Sequence, residues 1–96
     1  MDDLSLSASL EDYLKQMEER LIPLGLLDPG EQGEVVRLIS GKGSFHRLMD
    51  MGLRIGKRLE MLSNRGSGPV LIKIDGTRLA LGRGVAMKIL IRRVSP

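Results

Sequence analysis

Val70-Leu71-Ile72-Lys73-Ile74-Asp75-Gly76-Thr77-Arg78-Leu79-Ala80-Leu81 decides the fold class of this 96-residue chain. Val70, Ile72 and Ile74 alternate with other side chains, the period of two that puts them on one face of a strand. Asp75-Gly76 is the dipeptide that tolerates the positive backbone angles of a tight turn, so Thr77–Leu81 is predicted to pair back as a hairpin. Working outward, the loop Asn64-Arg65-Gly66-Ser67-Gly68-Pro69 separates this hairpin from a strand expected over Lys57–Ser63. On the other side Gly82 and Gly84 break the pattern, and Met87, Ile89 and Ile91 then alternate through a strand expected to reach Arg93.

Upstream, Asp28-Pro29-Gly30 and Gly33 punctuate a turn before a β-branched strand, Val35-Val36-Arg37-Leu38-Ile39. Gly41-Lys42-Gly43 leads into a short helix with Ser44 as its cap. Phe45, Leu48 and Met49 give it helical spacing, and Gly52 is placed as the left-handed residue that ends it. Ser9–Leu21 carries Leu10, Tyr13, Leu14, Met17 and Leu21 on one face, the pattern of an amphipathic helix, and Pro23 forbids its continuation. Short strands with glycine-rich corners close most economically as a small barrel that removes exposed edges. The expected fold is therefore mainly β: an SH3-like barrel of about five strands with one short helix, plus the N-terminal amphipathic helix. Residues 1–22 form an acidic helical extension in this reading and residues 23–96 the barrel domain.

Composition narrows the function. The chain is 42% apolar and 28% charged, near the globular average, and it contains no cysteine, which excludes disulfides, thiolate metal sites and cysteine nucleophiles. No apolar run reaches the length of a bilayer span, and Met1-Asp2-Asp3 does not open a secretory signal, so a cytoplasmic location is expected. Net charge is +3, yet residues 1–34 hold nine acids and two bases, while residues 35–96 hold three acids and thirteen bases. The second part therefore offers a positive surface to an acidic protein, nucleic acid or an anionic membrane face, unless the acidic segment simply neutralises it within one molecule.

The available chemistry is sparse. Gly41-Lys42-Gly43-Ser44 lacks the spacing of a phosphate loop, since its Lys is followed by Gly and Val36 stands five residues before Gly41. Gly82-Arg83-Gly84 lacks the third glycine of a dinucleotide fingerprint, and both segments read as turns. His46 and Asp50, four residues apart, share a helix face and could hold a divalent transition metal such as ferrous iron, but two ligands make a weak site. Met17, Met49, Met61 and Met87 fall on apolar faces suited to core packing, whereas Met51 adjoins the cap and is expected to be exposed. A single histidine and few carboxylates after Glu34 leave no acid–base or nucleophilic constellation, so no catalytic activity is expected. Tyr13 and Phe45 are the only aromatic residues, which argues against a base-stacking nucleic-acid surface.

Arg47-Leu48-Met49-Asp50-Met51-Gly52-Leu53-Arg54-Ile55-Gly56, with Leu27–Gly33 before it and Gly76–Leu81 and Ala86 after it, resembles the FeoA family over Pro23–Val94. Its most specific elements are the R-L-x-x-M-G-L-x-x-G helix and turn and the G-x-x-L-A-L hairpin. The sequence departs from the family pattern at Ile55, where proline is common, and in its N-terminal extension, which leaves the state of a homodimer open. It resembles the stand-alone form rather than the related domains at the C-terminus of iron-dependent repressors.

The resemblance implies an SH3-like barrel serving bacterial ferrous-iron uptake by acting on FeoB, a membrane transporter with a cytoplasmic GTPase domain. Contact with the membrane would then be through the transporter alone. The docking face expected from the residues is the helix Phe45–Met51 and its turn. Leu53 is expected to protrude as an apolar anchor, beside Met51 and with Arg47, Arg54 and Arg58 around it as steering charges; the alternative is that Leu53, like Leu48 and Met49, fills the barrel mouth. The alternatives are a metal-binding accessory using His46 and Asp50 and, third, a basic nucleic-acid-binding barrel.

Overall fold

The computed structural model describes residues 10–12, 20–39 and 42–95, and for residues 42–45 the backbone alone. Along the chain run β1 (Leu21–Pro23), a 3-10 turn (Leu24–Leu26), β2 (Gln32–Leu38), α1 (Lys42–Asp50), β3 (Arg58–Asn64), β4 (Val70–Ile74), β5 (Thr77–Leu81), the short α2 (Arg83–Ala86) and β6 (Ile89–Val94). The six strands form one antiparallel sheet in the order β1-β6-β2-β3-β4-β5.

The β4–β5 hairpin forms as its sequence dictates. Asp75 and Gly76 both take positive φ, 51° and 77°, and Ile74 pairs with Thr77 across a two-residue turn. Val70, Ile72 and Ile74 from β4 meet Leu79 and Leu81 from β5 in the interior, joined there by Ile22, Val35, Leu59, Met61, Ile89 and Ile91 from the other strands. Every strand thus contributes to one core, which requires the sheet to curl around it. Register shifts between Val35 and Arg37 in β2 and between Met61 and Ser63 in β3 supply local bends.

Three local expectations are corrected. Leu21 belongs to a strand, because β1 lays Leu21, Ile22 and Pro23 against Arg92, Ile91 and Leu90; Pro23 is tolerated on a sheet edge, where its missing N–H costs no ladder bond. The sheet accordingly has six strands rather than five. Met87 and Met49 are exposed, whereas Met61 is buried. Met87 caps the end of α2 and the core alternation begins only at Ile89, so its helical position, not a strand phase, sets where it points. Residues 10–12 are helical, and Leu10, the first apolar residue of the expected stripe, is 59% exposed. Ser44 lies within α1 and does not cap it, because the helix already begins at Lys42; Ser9, Tyr13, Leu14 and Met17 lie outside the described residues, as does the side chain of Phe45.

Candidate protein-binding site

The end of α1 is set by its glycine. Gly52 has φ +105°, Leu53 N–H donates to the Leu48 carbonyl at 2.9 Å, and Gly52 N–H donates to the Met49 carbonyl at 3.1 Å. This pair of bonds is the Schellman arrangement, which turns the residue after the glycine back toward the helix's apolar face. Leu53 is consequently 0% exposed and part of the core, with Leu48 packed beside that core. The expectation of a protruding Leu53 is therefore wrong, and the cause is the cap geometry itself. Arg54 remains at the surface, its Nε donating over a long 3.4 Å to the Met49 carbonyl.

Beside α1 lies an open groove of about 510 Å³, lined by Arg47, Leu48 and Met51 from the helix side and by Leu79, Ala80, Leu81, Gly82 and Val85 from β5 and α2. Two of the sequence candidates, Arg47 and Met51, meet here; Met51 is 46% exposed. Arg54 and Arg58 do not line it, and Arg58 sits at the start of β3, paired with Glu34 of β2. His46 and Asp50 are both exposed on α1, and among the described residues no group of three or more His, Asp or Glu side chains gathers to hold a metal. Among the described residues the groove's lining holds no carboxylate and one guanidinium, Arg47. Its chemistry is that of an apolar cleft with a cationic rim.

Sequence reasoning missed the β5 side of this groove. Asp75-Gly76 located the strand, but its place at the sheet edge is a property of the strand order. Asn64 was also read only as a loop residue, yet it ties three segments together. Its side-chain amide donates to the Gly25 and Leu27 carbonyls at 2.9 and 2.8 Å, and its oxygen accepts from Arg83 Nη2 at 2.7 Å. Arg83 Nε also donates to the Gly68 carbonyl at 3.1 Å, which anchors α2 next to the groove.

A family model described as the FeoA domain matches residues 22–93. The chain belongs to the FeoA family. It is 39% identical over 71 residues to an Fe(2+) transport protein A of Methanocaldococcus jannaschii, a match covering 74% of this chain and 85% of that relative. A crystal structure described as iron uptake regulatory protein (FeoA) superposes with a TM-score of 0.73 at 32% identity, covering 77% of this chain and 99% of that one. A solution structure of FeoA protein from Chlorobium tepidum gives a TM-score of 0.71 at 28% identity, covering 77% of this chain and 71% of that one. These likenesses establish the SH3-like barrel of the FeoA fold. Much of the FeoA motif serves that barrel: Gly52, Gly56 and Gly76 take positive φ, while Leu53, Leu79 and Leu81 are core. Arg47 and Met51 are the motif side chains that the FeoA fold leaves at the groove.

Proposed function

We propose that this protein is a non-enzymatic accessory of ferrous-iron transport that binds and modulates the cytoplasmic GTPase part of an FeoB-type transporter. The observation that carries this reading is the open apolar groove with Arg47 and Met51 on its helix side, a surface suited to a protein partner. Family membership supports the iron-transport context, and the name of the M. jannaschii relative points the same way. Met49, Met51 and Ile55, all exposed at the end of α1 and in the turn after it, extend the apolar surface beyond the groove. Arg54 is exposed at the same turn and adds a second cation. Modulation then works by contact: docking biases the conformation or stability of the GTPase.

Calorimetric titration of the soluble GTPase domain tests this reading. Wild-type protein is expected to bind, and Met51→Asp, which places a charge on an exposed apolar site, is expected to weaken binding by about tenfold or more without changing the circular dichroism spectrum. GTP hydrolysis measured with and without the protein reports the sign of the modulation. Absence of binding by the wild type would overturn the reading.

A further inference from the structure

Four groove-lining residues, Leu79, Ala80, Leu81 and Gly82, are consecutive. Successive residues of a strand point to opposite faces, so a cleft that touches four in a row runs along the strand's edge and not against either face. Among the described residues β5 is the last strand of the sheet, with β4 as its one neighbour. In a hairpin closed by a two-residue turn, Ile74 and Thr77 exchange main-chain bonds, and so by alternation do Ile72 with Leu79 and Val70 with Leu81. The N–H and C=O groups of Arg78 and Ala80 therefore point away from β4, toward the groove side of the edge.

We propose that this edge accepts an extended, acidic segment of a partner protein as a seventh strand, bonded to the main chain of Arg78 and Ala80. The inference deepens the partner-binding reading above and rests on it for the source of the segment. Register sets the chemistry of the occupant. Leu79 and Leu81 face the core, so alternate side chains of the added strand fall on the side of Leu48, Met51 and Val85, which selects apolar residues. The intervening side chains fall beside the exposed Arg78, whose cross-strand neighbour is Lys73, and this selects carboxylates. Arg47 adds a cation to the groove lining, and no carboxylate there opposes an acidic strand. From Arg78, just outside the groove, to Gly82 the edge gives a track of about 13 Å, enough for about four residues of an added strand. A polyproline ligand fits less well, because such grooves grip proline between aromatic rings and none of the described side chains lining this one is aromatic.

The test uses the full chain and two synthetic probes, a peptide of alternating Glu and Val and a proline-rich peptide. On saturation with the Glu-Val peptide, hydrogen exchange at the Arg78 and Ala80 amides is expected to slow by about tenfold or more. Ala80→Pro removes the outward N–H without touching a β4 bond, and is expected to weaken the peptide by about tenfold with the fold retained. If that variant does not fold, exchange at the two wild-type amides decides. Unchanged exchange at both amides, or tighter binding of the proline-rich peptide, would overturn strand addition. Protection of these amides in the free chain at every dilution would put the chain's own acidic segment on the edge, and protection growing with concentration would put a second copy there; either overturns the assignment to a partner. GTPase-domain binding that Ala80→Pro leaves intact removes strand addition alone, whereas peptide binding without GTPase-domain binding removes the GTPase reading alone.

Discussion

Gly33 and Gly25 both face a side chain where a Cβ would stand, but the neighbours differ in how far they can yield. At Gly33 the added atom would lie 2.8 Å from Ile91 Cδ1 and 3.3 Å from Ile91 Cβ, within a buried, β-branched residue of the interior strand β6. At Gly25 it would meet the Met87 sulfur at 2.7 Å, the flexible part of a side chain that is 37% exposed. Gly33→Ala is accordingly expected to cost about 1–3 kcal/mol by overpacking, and Gly25→Ala less than about 1 kcal/mol because the thioether swings outward. Urea unfolding of the two variants checks the order, and equal losses would contradict it. Asn64→Ala removes two donors and one acceptor that hold the 3-10 turn and α2, and is expected to cost about 1–3 kcal/mol. A loss near zero would mean that water replaces the amide without penalty.

At the scale of elements, what could be read in advance was what is written locally. The β4–β5 hairpin is specified by twelve contiguous residues, from alternation and an Asp-Gly turn, and it formed with that register. β1 was hidden because three residues containing a proline carry no period, and its partner β6 lies some seventy positions away, a distance no local pattern spans. α2 was hidden because Gly82 precedes it, Gly84 lies within it and four residues barely make a turn. Leu53 is the instructive case, for the signal was present: Gly52 was identified as the helix-ending glycine, and a Schellman cap carries an apolar contact from the residue after it. Leu53→Ala is therefore expected to cost about 2–5 kcal/mol, and Leu53→Asp to unfold the barrel by circular dichroism. A folded Leu53→Asp variant would contradict the burial. The groove was half legible, since Arg47 and Met51 follow from helix position while the β5 side depends on strand order.

Across the whole molecule, part of the charge imbalance is settled internally. Glu34 pairs with Arg92 at 2.8 Å and Glu31 with Arg93 at 3.0 Å, so the acids of the early chain meet bases of β6. Lys57 is engaged by Asp75 at 2.8 Å. Arg47 and Arg78 make no ion pair with the described residues, and they flank the groove and the free edge. These uncommitted cations are expected to steer an acidic partner, with the association rate falling as ionic strength rises from low to physiological while dissociation changes less. Stopped-flow binding to the GTPase domain reads this directly, and a salt-independent association rate would contradict it. Among the described residues no helix is long and apolar enough to cross a membrane.

The most direct measurement is an NMR titration of the labelled full chain with the soluble GTPase domain of an FeoB-type transporter. Amide shifts grouped at Arg47–Met51 and Arg78–Gly82, with the outer face of β2 and β6 unmoved, are the expected result. Shifts confined to other faces of the barrel, or none at saturating concentration, would contradict the groove as the binding site.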